Sequence, residues 1–174
     1  MPIPQGRNQR WSLDFGSDAL AYGRRFRVLC VTDDFTWEAP APVVDVALSG
    51  ERVTREVGRI AETRSCSSMV VSDNGKDLTS SAFLRWQEDR KVEWRHIAPG
   101  KPMQNGFVEC FNGKLRDESL NEHLFDCLPD ARRLIGVWSR DYKHERPHPR
   151  LIRLTPWAFA NRSEDGRNRN RVNF

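Results

Sequence analysis

The segment from Pro99 to Arg116, PGKPMQNGFVECFNGKLR, constrains this chain more than any other stretch. Two prolines and one glycine within its first four residues exclude a regular helix or strand there, so the segment begins as a loop. Asn105 then stands where a side-chain oxygen can cap the first turn of a helix. The segment therefore predicts a loop that leads directly into a helix.

The predicted helix has two different faces. Its apolar face repeats at helical spacing and consists of Phe107, Val108, Phe111 and Leu115. Its other face carries residues at i, i+3, i+4 and i+7, namely Glu109, Asn112, Gly113 and Arg116. A glycine inside a helix costs up to ~1 kcal/mol relative to alanine, which indicates that another group approaches the backbone there. This polar face is a candidate site.

The composition limits the class of protein. With 174 residues and a net charge of +4, the chain is long enough for one domain and only mildly basic. That charge is compatible with a polyanionic partner without indicating one by itself. The four cysteines lack paired spacing, which favours reduced thiols in a cytoplasmic protein. No run approaches the ~18 apolar residues of a membrane span, and no signal peptide is recognisable.

The order of the predicted elements indicates the fold class. Three strands come first, at 11–15, 25–31 and 43–48, and the prolines before the third favour a sheet edge. The later elements are a helix opening at 49–51, a strand at 68–71, a helix at 80–90, a strand at 92–97, the helix after Asn105 and a helix spanning 131–142. This order predicts an α/β fold with a five-stranded mixed sheet flanked by helices.

The distribution of polar and periodic segments divides the chain into three parts. Residues 1–10 are polar and are expected to be a flexible lead-in. Residues 11–160 carry all the periodic segments, with a helical extension at their C-terminal end. Residues 161–174 are basic, lack apolar periodicity and are predicted to be a disordered tail.

The run from Pro99 to Glu118 resembles the end of the catalytic core of bacterial insertion-sequence transposases, which share their fold with retroviral integrases and ribonuclease H. The nearest subgroup is the insertion-sequence-three family, through its second reading-frame product, and the resemblance spans about residues 7–160. It implies a ribonuclease-H-like integrase core. It also implies a magnesium-dependent polynucleotidyl transferase that cleaves DNA strands and transfers them, in DNA integration and transposition.

Three carboxylates have flanking sequences that resemble the Asp, Asp, Glu pattern of that family: Asp14, Asp73 and Glu109. Asp14 lies within the first strand, and Asp73 ends an apolar strand, where α/β sheets place ligands. The resemblance implies that the three residues bind two Mg²⁺ (or Mn²⁺) ions that flank a scissile phosphodiester. Taken singly, they also fit a solvent-facing edge residue, an Asp-Asn-Gly turn and a polar helix surface.

Basic and amide residues around the helix are predicted to contact DNA: Lys101, Asn105, Asn112, Lys114 and Arg116. For Lys114, plain solvation is an equal alternative. His96 lies beside Trp94 in a predicted strand, which favours packing over proton transfer. Asp33 and Asp34 are interpreted as a turn.

Some features depart from the family pattern. Residues 76–78 read Lys-Asp-Leu where Pro-Glu-Phe is usual, and residues 62–68 lack a Gly-Lys-Pro turn. The helix-turn-helix region that precedes such cores is expected upstream or on a separate reading-frame product. Two alternatives therefore stand beside the transposase: a ribonuclease-H-like nuclease that only hydrolyses, and a catalytically inactive or truncated remnant.

The resemblance also implies the partners and the location. The partners are DNA, both element ends and target, and further copies of the chain when assembled on DNA, without membrane involvement. The location is the bacterial cytoplasm, at the nucleoid when DNA is bound.

Overall fold

The computed structural model describes residues 3–73, 75, 81–97 and 105–162, and within them it contains five strands and five α-helices. The strands are β1 (Arg10–Ala19), β2 (Arg25–Asp33), β3 (Val43–Asp45), β4 (Met69–Ser72) and β5 (Glu93–His96). The helices are α1 (Gly50–Arg64), α2 (Ser81–Arg90), α3 (Gly106–Leu115), α4 (Leu128–His144) and α5 (residues 156–162). None of the helices in these ranges has the length and apolarity that crossing a membrane requires.

All five strands form one mixed sheet in the order β3-β2-β1-β4-β5. The first three strands pair antiparallel, whereas β4 runs parallel to both β1 and β5. β3 lies at the edge, as Pro40 and Pro42 predicted, and it pairs over only three residues. β4 lies inside the parallel region, where Val70 and Val71 are fully buried. The predicted five-stranded mixed sheet is therefore confirmed.

Each face of the sheet is covered by a different pair of helices. α1 and α2 cover one face, where Val53, Val57 and Phe83 pack against the odd-numbered residues of β1. α3 and α4 cover the other face, through a cluster that includes Phe111, Leu115, Ile135 and Tyr142. Burying each such side chain contributes about 1.5–3 kcal/mol, so both layers hold the sheet firmly.

Local sequence signals set most helix ends. Ser49 begins α1 as predicted, because its hydroxyl accepts a hydrogen bond from the backbone N–H of Arg52 at 3.3 Å. α3 continues without a break into a π-helical turn, Arg116–Leu120. Glu118 in that turn accepts a hydrogen bond from Trp138 Nε1 at 3.0 Å, which ties the turn to α4.

The structure corrects two of the predicted boundaries in the core. β1 extends over ten residues rather than five, because its pairing with β2 continues to the Ala19–Arg25 pair. β3 ends at Asp45 rather than at Leu48, since it has a neighbouring strand on one side only.

The described part of the predicted lead-in makes specific hydrogen bonds to the core, and its flexibility stays a prediction. The backbone N–H of Asn8 donates to Asp33 Oδ2 at 2.7 Å, and the Asn8 side chain donates to the carbonyl of Arg64 at 2.7 Å. Arg10 already belongs to β1. Residues 161 and 162 of the predicted tail are helical, and residues 163–174 lie outside the described residues.

Candidate active site

The two aspartates of the predicted triad lie just past the point where the parallel pairing of β1 with β4 ends: Asp14 lies within β1, and Asp73 follows β4. In the pairing of β1 with β4, Leu13 lies opposite Ser72, and Asp14 and Asp73 are the next residues of each chain. Leu13 packs into the apolar layer under α1 and α2, so Asp14 lies on the face that α3 covers. The pairing therefore brings Asp14 and Asp73 to the same end of the parallel strand pair.

α3 is attached to β1 by two amide side chains. Asn112 Nδ2 donates to Asp14 Oδ2 at 2.8 Å, and Asn105 Nδ2 donates to the carbonyl of Leu13 at 3.3 Å. These bonds join residues that are 98 and 92 positions apart in the chain. They place Glu109, one helical turn before Asn112, on the side of α3 that faces Asp14.

Asn105 corrects two predictions. Its side chain makes no capping hydrogen bond to α3, and its backbone does not have the extended conformation of a typical cap. It is only 1% exposed, because its amide points to the sheet. The predicted cap is wrong, and burial excludes this side chain from direct contact with DNA, so Asn105 is a positioning residue.

Burial and neighbouring carboxylates raise the pKa of two members of the triad, Asp14 and Glu109. Burial raises the pKa of Asp14, hydrogen bonds from Phe15 and Asn112 oppose that rise, and the charge of Asp73 adds to it. The pKa of Glu109 is also raised, by partial desolvation on α3 and by the charge of Asp14. Each shift records a site that disfavours further negative charge.

The carboxylates are neighbours without forming a closed ligand set. Among the described residues, no three His, Cys, Asp or Glu side chains are close enough together to hold a metal ion. Mutual repulsion between carboxylates favours such separation in the absence of a cation. The structure therefore brings the triad to one edge and one face, but it does not gather the three groups around a point.

The predicted DNA-contacting residues fall into different environments. Arg116 is exposed at the end of α3, on the side of Glu109 and Asn112. Lys114 is half-buried on another side of the helix, and its Nζ lies 5.6 Å from the centre of the Tyr142 ring. It is therefore neither fully solvated nor beside Arg116. Lys101 lies outside the described residues.

His96 holds the backbone at Asp73 rather than its carboxylate. His96 Nδ1 lies 3.0 Å from the carbonyl oxygen of Asp73 and 3.3 Å from Ser72 Oγ. Trp94 Nε1 donates to the same Ser72 hydroxyl at 2.9 Å. The packing interpretation of His96 beside Trp94 is thus extended to a hydrogen-bond network. This network depends on the register of β4 with β5, which pairs Ser72 with His96.

Asp33 and Asp34 differ in a way that the turn interpretation missed. Asp33 makes the expected turn, because its carboxylate accepts from the backbone N–H groups of Phe35 and Thr36, each at 3.0 Å. Asp34 is 2% exposed, pairs with Arg10 and accepts from Ser12 Oγ at 2.8 Å. Burial raises the pKa of Asp34 to about 6, against the opposing effects of these two partners.

Two family models match the chain, and both describe an integrase core domain. One matches residues 4–102 and the other residues 90–156. Among curated relatives, the insertion element IS407 uncharacterized 31.7 kDa protein of Burkholderia multivorans is 45% identical over 160 residues, which are 92% of this chain and 58% of the relative. The insertion element IS476 uncharacterized 39.2 kDa protein of Xanthomonas euvesicatoria is 45% identical over 153 residues, 88% of this chain and 44% of the relative. The chain thus spans about half the length of these relatives.

Solved structures show the same fold at low sequence identity. The HTLV-2 integrase catalytic core domain, solved in complex with magnesium, has a TM-score of 0.71 at 16% identity and covers 90% of this chain and 98% of its own. The catalytic core domain of BIV integrase has a TM-score of 0.67 at 17% identity, with 92% and 99% coverage. The predicted ribonuclease-H-like fold and the insertion-sequence transposase core are confirmed by these matches. Because the first family model covers more than half of its residues, this chain belongs to the integrase core domain family.

Proposed function

We propose that this chain is the catalytic core of a divalent-metal-dependent DNA strand transferase of the Asp-Asp-Glu type. The observation that carries the proposal is the attachment of α3 to β1, which sets Glu109 beside the Asp14 and Asp73 edge. Family membership supports DNA integration or transposition as the general process. Cleavage and strand transfer by the whole protein belong to the proposal, since the chain spans only part of its relatives.

The donor set at this edge fits a hard divalent cation. Asp14, Asp73 and Glu109 supply carboxylate oxygens, which Mg²⁺ prefers. Asn112 adds an amide oxygen that is buried and has no hydrogen-bond donor among the described residues. Desolvation is the main cause of the raised pKa values of Asp14 and Glu109, and a neighbouring carboxylate adds to each, so a bound cation would favour the ionised form of both groups. Two Mg²⁺ ions, when bound, would supply Lewis-acid activation of the attacking oxygen and stabilisation of the leaving oxygen.

The remaining side chains of the site orient the carboxylates or bind the DNA. Asn112 holds the Asp14 carboxylate, and His96 holds the main chain at Asp73. Arg116, with Lys101, would bind phosphates and so position the DNA without reading its sequence. Lys114 is left out of this surface, because it lies against Tyr142 on another side of α3. Sequence recognition requires side chains that reach base edges, and we assign it to an upstream helix-turn-helix region. We further propose that copies of the chain assemble on DNA in the bacterial cytoplasm.

The test is a DNA cleavage and joining assay with and without Mg²⁺, on the wild type and on Asp14→Asn, Asp73→Asn and Glu109→Gln. Each variant should lose at least ~100-fold in metal-dependent cleavage, as expected when one transition-state stabiliser is removed. Asp18→Asn is the matched control, because Asp18 lies on the same strand and the same face as Asp14, four residues further on. It should retain full activity.

Thermal unfolding in EDTA separates a catalytic from a structural loss. Asp73→Asn removes one like charge from the cluster, so its melting temperature should hold or rise. A fall of many degrees would identify Asp73 as a structural residue and contradict the proposal.

A second candidate function is a DNA-binding remnant without catalysis. It is favoured by the absence of a closed ligand set among the described residues. Binding of DNA without any Mg²⁺- or Mn²⁺-dependent product would select it. Nicked but unjoined product would select the hydrolytic nuclease instead.

A further inference from the structure

A cavity of about 340 Å³ opens beside the start of α3, and the candidate active site does not use it. Its walls are Trp37, Gly106, Phe107, Cys110 and Arg150, and we name it the aromatic pocket. Small-molecule sites span ~300–1,000 Å³, so this pocket is large enough for one planar group and too small for a duplex.

The walls combine two aromatic rings with one guanidinium group. The rings of Trp37 and Phe107 meet edge to face, with centroids 5.4 Å apart and planes at 78°. The guanidinium of Arg150 lies 5.8 Å from the centre of the Trp37 ring. Aromatic faces with adjacent guanidinium groups are the surface that unpaired nucleic-acid bases recognise, since every base presents a π-face and carries a phosphate beside it.

Trp37 adopts a backbone conformation that is unfavourable for a bulky residue. Its φ is +59°, in the left-handed region that glycine occupies without strain. The turn is closed by a hydrogen bond from the Trp37 N–H to the carbonyl of Asp33 at 2.8 Å, and the indole lies against His148. A tryptophan held in such a strained conformation is a candidate for a function of the indole itself.

The pocket adjoins the candidate active site. Gly106, Phe107 and Cys110 flank Glu109 on α3, and a helix rises only ~1.5 Å per residue, so the pocket wall lies within about one turn of Glu109. We propose that the aromatic pocket binds one unpaired base of the DNA strand whose backbone lies at Asp14, Asp73 and Glu109. This inference rests on the proposed function and names a part of its substrate.

A base accounts for the pocket better than a protein side chain does. An apolar side chain from a partner would fill the pocket beside the Trp37 and Phe107 rings. It would leave the exposed charge of Arg150 at the rim without an anion to bind. A nucleotide satisfies both, because its base stacks while its phosphate lies near the guanidinium.

The test is a binding titration in EDTA, so that no cleavage occurs. The probes are a fluorescent duplex with a two-nucleotide single-stranded extension and the same duplex with abasic sites in the extension, each made with 5′ and with 3′ extensions. For one polarity, loss of the bases should weaken wild-type binding about tenfold, within the range for one stacked base. Trp37→Ala should bind both probes alike.

Trp157→Ala is the matched control, because Trp157 is also part-exposed and also lies against a histidine, His144, but in α5. It should keep the tenfold difference. Arg150→Ala should reduce affinity for both probes and keep part of the difference, and it serves if Trp37→Ala fails to fold.

Two results would overturn the inference. One is a wild type that binds both probes alike or binds neither, and the other is a Trp37→Ala variant that keeps the full difference. The cleavage assay is independent of these outcomes. Base-dependent binding without cleavage would support the base-binding pocket and contradict the proposed catalysis. Cleavage without base dependence would support the catalysis and contradict the pocket.

Discussion

The two faces of β1 are built from alternate residues of one strand and have opposite chemistry. Trp11 and Leu13 are at most 1% exposed and pack under α1 and α2 in an apolar layer. Arg10, Ser12 and Asp14 lie on the other face, where each makes a polar contact with the β2 loop or with α3. One face gains stability from burial alone, whereas the other tolerates burial only through specific hydrogen bonds.

The difference teaches how this fold separates stability from chemistry. On the polar face, the buried oxygens Asp34 Oδ1, Asn105 Oδ1 and Asn112 Oδ1 lack a hydrogen-bond donor among the described residues. Unpaired buried oxygens cost free energy, so a core selected for stability alone would avoid them. The apolar layer on the opposite face of the same strand compensates for that cost.

The largest expected effect tests the apolar face. Leu13→Ala should lower the free energy of unfolding by about 2–5 kcal/mol, because it leaves a cavity in a layer where Leu13 is fully buried. Urea denaturation in EDTA measures this loss. Leu13→Met keeps the volume and should cost under ~1.5 kcal/mol. A similar loss for both variants would contradict a tightly packed apolar layer.

The next effect tests the polar face through pH. The folded pKa of Asp34 is about 6, above its ordinary value of 3.8, so the folded state retains a proton that the unfolded state releases between these values. The free energy of unfolding should therefore fall as pH rises from about 4 to about 6 and then level off, by roughly 2–3 kcal/mol at most.

Denaturation of the wild type and of Asp34→Asn across that pH range measures this contribution. The variant cannot titrate at this position, so its pH profile should be flatter by that amount. Asp18→Asn is the control and should keep the wild-type profile. Parallel profiles for the wild type and Asp34→Asn would show that Asp34 stays ionised throughout.

A smaller effect tests the link between the polar face and α3. Asn112→Ala removes the donor to Asp14, which should cost about 1 kcal/mol of stability since the bond is only part-buried. It should also raise the apparent pKa of Asp14 further and reduce metal-dependent cleavage. A stability loss with unchanged cleavage would show that Asn112 supports the fold and not the site.

The smallest effect concerns the outer surface of α3. Arg116→Ala should reduce the slope of log affinity for DNA against log salt by about one unit, the contribution of one phosphate contact. Anisotropy titrations at several salt concentrations measure the slope. Arg24→Ala, an exposed residue in the turn between β1 and β2, should leave the slope unchanged. Equal slopes of log affinity against log salt for Arg116→Ala and Arg24→Ala would show that Arg116 does not contact a phosphate.

Local patterns predicted much of the site. The alternation around Asp14, the apolar strand that ends at Asp73 and the helical spacing of Glu109 with Asn112 each follow from short-range geometry. Their periodicities also gave the order of strands and helices, and the edge position of β3 follows from its prolines. Because these features depend only on residues a few positions apart, they can be predicted from a single sequence.

The tertiary structure alone decided which partners those residues have. Asn105 has the residue type and the position of a helix cap, yet its amide donates a hydrogen bond to the carbonyl of Leu13 in β1, 92 residues away. Asp34 is a residue type typical of turns, yet its buried carboxylate accepts hydrogen bonds from Ser12 and Arg10. Trp37 lies in a loop without periodicity, and only the packing of α3 brings Phe107 against it. Contacts between distant segments depend on how whole layers pack, and no local periodicity records them. The sequence by itself determined the elements and the chemistry they carry, and the packing of α3 on β1 decided how that chemistry is assembled.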